Sequence, residues 1–183
     1  MSSIVDKFVD FCECGNEECA RSVILEDESI VNGRDSRYGR TGLMVAILCS
    51  NNRIVKMILE SPIIDLSIVD NSNSTALHYF FPKLHYGRSD DLNANVNTVH
   101  SANVNTDGIK MILRHQNCTA DLLLKRDSHE ESFLDYLHLD SSLWRLFADY
   151  LNKILETPEY QAECEIMKQL KEVEIGEVKK MPD

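Results

Sequence analysis

Two short sequence blocks recur along the chain, and this repetition constrains the fold more than any other feature of the sequence. Segments 41–46 (TGLMVA) and 75–80 (TALHYF) share the pattern Thr-small-Leu and begin 34 residues apart. The tetrapeptide Lys-Met-Ile-Leu occurs at 56–59 and again at 110–113, which are 54 residues apart. Because the second offset exceeds the first by 20 residues, one copy is predicted to carry an insertion of that length, near 84–103.

Each copy is predicted to form two short helices. Thr41, Thr75 and Ser132 are residue types favoured at helix N-termini, and apolar residues follow each of them at helical spacing. Apolar stripes predict the second helices at 53–60, 107–115 and 141–151. At the N-terminus, weaker stripes on either side of the breaker Gly15-Asn16 predict one more helix pair.

A period of about 34 residues, with a polar turn, two antiparallel helices and Thr-x-Leu-His at the start of the first helix, resembles the ankyrin repeat. The second full copy carries the resemblance best, through Asp70, Thr75, Leu77 and His78. The first full copy departs from the family pattern at Gly42, where proline is usual. The resemblance implies that His78 joins neighbouring loops through hydrogen bonds.

The resemblance implies an all-α fold, an ankyrin-repeat solenoid of stacked helix-turn-helix units. Polar turns or hairpins would link the units, and a helix would follow the last repeat. One helix pair cannot bury its own apolar face, so neighbouring pairs stack and share a core. We expect a single domain over residues 1–183, divided into a capping repeat at 3–35, repeats at 36–69, 70–122 and 123–155, a C-terminal helix at 156–176 and a tail at 177–183.

In arrays of this family, the turn tips and the exposed side of the first helices bind protein partners. Carried over by position, the resemblance assigns partner binding to Arg37, Tyr38, Arg40, Leu48, Asn71, Ser72, Ser74, Lys83, Ser128, His129 and Glu131. The group Arg37-Tyr38-x-Arg40 stands out because Arg and Tyr are enriched in interface hot spots. An ordinary polar turn is the alternative interpretation of the same residues.

Charge and hydropathy restrict the classes of partner. The chain has 183 residues, and its 19 Lys and Arg against 30 Asp and Glu give a net charge of −11. Such a charge disfavours nucleic acid and favours a protein partner with a basic surface, although residues 35–122 are balanced in charge. The longest apolar run, 43–49, is far shorter than the roughly 20 residues that a membrane span needs.

The cysteines and the absence of catalytic motifs point to an intracellular, non-enzymatic protein. No signal-peptide pattern precedes the six cysteines, so we expect free thiols in the cytoplasm, the nucleus or both. The cluster Cys12-x-Cys14-x4-Cys19 lacks a fourth ligand for zinc. No metal, cofactor or catalytic site is predicted, and His129-Glu130-Glu131, the one tight cluster of proton-transfer groups, falls in a predicted turn.

Three functions stay open at this point. The first is a non-enzymatic protein–protein interaction module, acting as an adaptor or a regulatory subunit of a larger complex such as that of a kinase or a ubiquitin ligase. The second is a masking inhibitor of a transcription factor, resembling the ankyrin-type inhibitors of NF-κB. The third is an enzyme on a helical scaffold, which would need a pocket where His78, His129 or Glu130 meets a second polar group.

Overall fold

The computed structural model describes residues 3–81, 104–138, 143, 145–148 and 150–151, and within these residues the fold is all-α, without strands. The α-helices are α1 (Ile4–Cys14), α2 (Glu17–Glu26), α3 (Gly42–Leu48), α4 (Asn52–Leu59), α5 (Thr106–Leu113), α6 (Ala120–Leu124) and α7 (Phe133–His138). Two 3₁₀-helices are η1 (Glu28–Asn32) and η2 (His78–Phe80). Positions 143, 145–148 and 150–151 are also helical. Isolated bridges join Arg34 to Thr41 and Arg126 to Ser132.

The ends of the first helix pair follow from local sequence. The Ser3 hydroxyl accepts a hydrogen bond from the Asp6 amide, and the Asp6 carboxylate accepts one from the Ser3 amide, both at 3.0 Å. This reciprocal pair satisfies amides that the first turn of α1 would otherwise leave unbonded. Gly15, in the left-handed conformation at φ 74°, ends α1, and the Asn16 side chain caps α2. The break predicted at these two residues is confirmed.

The helices pack in sequence order around one core. Helix α1 packs against α2 and α3, α2 also packs against α4, α3 packs against α4 and η2, and α4 packs against α5. Helix α6 contacts α7. Buried apolar side chains form a continuous cluster that extends from Phe8 to Leu151. Among the described residues, no helix is both long enough and apolar enough to cross a bilayer.

The helix starts predicted from the sequence are confirmed at two of three positions. Thr41 and Ser132 directly precede α3 and α7, and the Thr41 hydroxyl accepts from the Met44 amide at 3.4 Å. After Thr75 the described residues form a 3₁₀-helix instead, whose amides bond three residues back. Helix α6, capped by Thr119, was not predicted.

Several predicted features lie outside the described residues. These are Lys83, the insertion near 84–103, the C-terminal helix at 156–176 and the tail at 177–183.

Candidate interaction surface

Three loops are built in the same way, and we call residues 35–40, 70–74 and 127–131 together the loop ladder. Each loop begins with a buried aspartate, Asp35, Asp70 or Asp127. The amide of that aspartate donates to the carbonyl of the last residue of the loop, at 2.8, 3.0 and 3.0 Å respectively. Each loop is thereby closed at its base, and its tip is directed towards solvent.

One carboxylate oxygen of each aspartate accepts hydrogen bonds from the tip of its own loop. Oδ1 of Asp70 accepts from the amides of Ser72 and Ser74, both at 2.8 Å. Oδ1 of Asp127 accepts from His129 and Glu131 at 2.8 and 3.2 Å. Asp35 does the same in its loop, where its Oδ1 lies 2.6 Å from the Tyr38 amide. The carboxylate therefore satisfies backbone donors that the tight turn leaves without a helical or strand partner.

The second carboxylate oxygen is held by another side chain. The Tyr79 hydroxyl donates to Asp70 at 2.7 Å, and the Tyr136 hydroxyl donates to Asp127 at 2.8 Å. Burial alone would raise the pKa of Asp127, but the bonds from Tyr136 and the loop amides outweigh it, and the pKa is lowered. Burial and the hydrogen bond to Asp127 raise the pKa of Tyr136. Asp127 therefore stays ionised, and each of the three aspartates holds its loop in shape through these hydrogen bonds.

Backbone hydrogen bonds join the three loops into a row. The Asn71 amide donates to the Tyr38 carbonyl at 3.0 Å, and the Ser128 amide donates to the Ser72 carbonyl at 2.9 Å. Side chains add further links, because Arg34 donates to Oδ1 of Asn71 at 3.0 Å and Nδ2 of Asn73 donates to the Arg126 carbonyl at 2.6 Å. The loop tips thus form one connected surface.

His78 ties the second loop to the third from beneath. Its ring is completely buried, and Nδ1 accepts from the Thr75 amide at 3.0 Å. Because an amide can only donate, Nε2 carries the proton and donates to the Glu131 carbonyl at 3.2 Å. The structural hydrogen-bonding role expected of His78 is confirmed.

The first loop presents the largest exposed side chains of the ladder. The Arg37 side chain is 62% exposed and pairs with Asp10 at 3.1 Å, and Tyr38 is 57% exposed. Arg40 is only 15% exposed, because its Nε donates to Asp35 at 3.2 Å while its guanidinium covers one face of the Tyr38 ring at 4.3 Å. Arg37 and Tyr38 are therefore accessible, and Arg40 supports the loop from within.

The remaining predicted residues divide by exposure. Asn71, Ser72, Ser128 and His129 are exposed at the tips of the second and third loops. Leu48 and Glu131 are half-buried. Ser74 does not lie on the surface as expected: it is completely buried, and its amide donates to Asp70. The position of Ser74 in the sequence of the loop did not reveal that the end of the loop turns into the protein interior.

Three residues of this surface were missed by the sequence reasoning: Asp10, Arg34 and Asn73. Asp10 reaches the first loop from α1, a contact across 27 residues that no local pattern indicates. Arg34 precedes the loop but reaches across to the next one. Asn73 adopts a left-handed conformation at φ 59°, which asparagine tolerates well, and this preference is the one signal that could have found it.

Other chemistry-bearing groups lie apart from the ladder. A cavity of about 450 Å³ is lined by Ile64, Asp65, Leu66, Ser67, Asn117, Thr119, Asp121, Leu122 and Lys125, and His78, His129 and Glu130 do not border it. The five described cysteines are free thiols. Burial raises the pKa of Cys12, and it raises that of Cys118 to about 12. Within the described ranges no three His, Cys, Asp or Glu side chains are grouped to hold a metal ion.

Comparisons with known proteins add no family to this picture. The sequence matches no protein-family model, and the comparison with curated proteins gives no match.

Proposed function

We propose that this chain is a protein–protein interaction module of the ankyrin type, which acts as an adaptor or regulatory subunit of a larger complex. The observation that carries the proposal is the loop ladder, in which three loops built on buried aspartates are joined edge to edge with their tips exposed. Such a row gives a partner a ready-made, continuous surface.

Recurrence of the same contacts supports the solenoid arrangement. Asp70 with Tyr79 and Asp127 with Tyr136 form equivalent pairs, each nine residues apart in sequence. The packing of α1 on α3, and of α2 on α4 and α4 on α5, is the nearest-neighbour order that stacked repeats require. In a stack of such units, the loops on one side come to lie in a line.

The rigidity of the loop tips supports a role for them in binding a partner. Every loop is closed by its aspartate and bonded to the next loop, so little conformational entropy would be lost when a partner is bound. Tyr38 and Arg37 supply the residue types that most often carry binding energy. The partner in this proposal is a protein, and the exposed carboxylate of Glu130 in the third loop suits a basic region of its surface.

An intracellular location belongs to the same proposal. All five described cysteines are free thiols, as proteins of a reducing compartment usually have them.

The proposal predicts that Arg37→Ala/Tyr38→Ala removes partner capture without destabilising the fold, because both side chains are exposed. Tagged wild type and variant, isolated from the same cells, are compared by quantitative mass spectrometry. A partner that depends on the ladder should be depleted at least about tenfold with the variant, since hot-spot residues contribute about 2 kcal/mol each. Thermal unfolding of the two proteins should coincide.

A matched control removes an arginine and a large apolar residue elsewhere. In Arg21→Ala/Leu25→Ala, side chains that are 52% and 80% exposed on α2 are lost, and captured partners should remain. If the loop variant keeps every partner that the wild type captures, the ladder is not the binding surface.

A further inference from the structure

We propose that the loop ladder binds an extended partner segment whose charges are separated, with its acidic end at the first loop and its basic end at the third. This inference rests on the proposed function and specifies the chemistry of the partner. It comes from the distribution of exposed charged side chains along the row.

The first loop is the cationic end. Arg34 is exposed, and among the described residues its guanidinium donates to neutral groups only, the Gly39 carbonyl at 2.9 Å and Oδ1 of Asn71 at 3.0 Å. Arg37 uses one nitrogen for Asp10 and leaves the rest of its guanidinium in solvent. A partner therefore meets two guanidinium groups able to bind a carboxylate in a bidentate manner.

Two carboxylates near the first loop are buried and do not face a partner. Asp35 is buried and bound by the loop amides and Arg40. Asp6 is buried as well, and the amides of Ser36 and Ser3 donate to it at 2.8 and 3.0 Å. These hydrogen bonds lower the pKa of Asp6 to about 2. Both carboxylates are covered by the donors they hold. Asp10 stays exposed, but it pairs with Arg37, so the two arginines at 34 and 37 outnumber the exposed carboxylates at this end.

The third loop is the anionic end. Glu130 is exposed, and its carboxylate makes no hydrogen bond or ion pair with the described residues. Two cations lie nearby, and both have partners: Arg126 donates to the Glu130 carbonyl and pairs with Asp135 at 3.2 Å, and Lys125 donates to the Ser67 carbonyl at 3.3 Å. Glu131 adds a second carboxylate, which contacts the Tyr136 hydroxyl. The charged group that a partner can reach here is the Glu130 carboxylate, which is unpaired within the described part of the chain.

The second loop separates the two ends with uncharged polar groups, Asn71, Ser72 and Asn73, all exposed. A uniformly basic segment would meet repulsion at the first loop, and a uniformly acidic one at the third. A segment with a carboxylate at one end, polar residues in the middle and Lys or Arg at the other satisfies all three loops. The basic surface expected of the partner is thereby confined to the end of the segment that meets the third loop.

The test uses peptides as the probe. Random 12-residue peptides are selected by display on the wild-type chain, and those that no longer bind Tyr38→Ala are kept. Their affinities are then measured for Arg37→Glu and Glu130→Lys, with Lys56→Glu and Glu60→Lys as controls. The two control side chains, 71% and 62% exposed, lie on α4 and at its C-terminal cap and give the same changes in charge outside the ladder.

We expect each ladder variant to weaken binding about three- to fivefold, as loss of an exposed ion pair does, and the controls to have little effect. Replacing the acidic residue of a peptide by Gln should abolish its sensitivity to Arg37→Glu only. Replacing the basic residue by Gln should abolish its sensitivity to Glu130→Lys only. Thermal unfolding of both variants should match the wild type.

Two outcomes would overturn the inference in different ways. If the peptides depend on Tyr38 but respond to the ladder variants no more than to the controls, the charge pattern is irrelevant and the proposed function stands. If no selected peptide depends on Tyr38, the inference and the proposed binding surface fail together.

Discussion

At the scale of single residues, the three loops differ at one equivalent position. The residue before the last one in each loop is left-handed, and it is Gly39 at φ 69°, Asn73 at φ 59° and Glu130 at φ 62°. Glycine adopts this conformation freely and asparagine tolerates it, whereas glutamate does not. At Gly39 a Cβ atom would lie 2.4 Å from both Arg34 Nη2 and Asn71 Oδ1, so a side chain is excluded there for a second reason.

Glu130→Gly should therefore stabilise the chain by about 0.5–1 kcal/mol. The left-handed conformation costs a residue with a side chain about 1–2 kcal/mol, which exceeds the entropy that a glycine adds to the unfolded state. Urea unfolding followed by circular dichroism measures the change. Ser128→Gly is the control, because this exposed residue of the same loop has no positive φ and should only lose stability. A less stable Glu130→Gly protein would show that the left-handed residue is not strained.

At the scale of elements, side-chain amides connect neighbouring helix pairs. Nδ2 of Asn51, in the turn before α4, donates to the carbonyls of Cys12 and Glu13 at 2.8 and 3.2 Å. These carbonyls lie in the last turn of α1 and have no partner within the helix. Asn117 makes a similar bond to the Ile64 carbonyl at 2.8 Å. Such hydrogen bonds fix the position of one helix pair relative to the next.

Asn51→Ala should lower the free energy of unfolding by about 1–2 kcal/mol, because it leaves the end of α1 without its donor. Denaturant unfolding of the variant is compared with that of Gln116→Ala, which removes an exposed amide that forms no hydrogen bond with the described residues. Equal losses in the two variants would mean that the bonds from Asn51 contribute nothing beyond side-chain removal.

How far the sequence predicts these elements depends on their length and surroundings. The second helices predicted at 53–60 and 107–115 match α4 and α5 within two residues at each end, because their apolar stripes span two turns. Helix α6 has five residues, too few for a stripe to appear. After Thr75, three consecutive aromatic residues, Tyr79, Phe80 and Phe81, are all buried, and no single face of an α-helix could bury them all.

The candidate interaction surface, like the helices, could be predicted only in part. The resemblance to the ankyrin repeat predicted exposed turn tips, and Tyr38, Asn71 and Ser128 are exposed in their loops. It did not reveal that Arg40 and Ser74 turn inward, because that depends on where each aspartate points its carboxylate. Contacts between distant segments, such as that of Asp10 with Arg37, leave no trace in local periodicity.

At the scale of the whole molecule, the ionised buried aspartates couple folding to pH. Asp6 has its pKa lowered to about 2 by hydrogen bonds from the Ser36 and Ser3 amides, and the pKa of Asp127 is also lowered. A lowered pKa means that the folded state binds protons less readily than the unfolded state. The stability that each group contributes is present above its unfolded pKa and is lost as pH falls through its folded pKa.

For Asp6, this loss should occur between about pH 4 and about pH 2. We therefore expect Asp6→Asn to be less stable than the wild type at pH 7, with the difference narrowing as the pH approaches 2. Urea unfolding at several pH values gives the two curves. Glu18→Gln, which removes an exposed carboxylate from α2, should stay close to the wild type throughout. A difference for Asp6→Asn that does not change with pH would contradict the assignment.

The two buried thiols can be used to measure how fast the structure around them opens. Cys12 lies beneath the start of α3, where its sulfur would be 2.9 Å from a Cβ atom at Gly42, and Cys118 lies just after α5. Because burial raises the pKa of both, neither forms a reactive thiolate while it is covered. Alkylation at either site therefore measures how often the structure around that cysteine opens, and the two rates tell whether the two regions open together or one at a time.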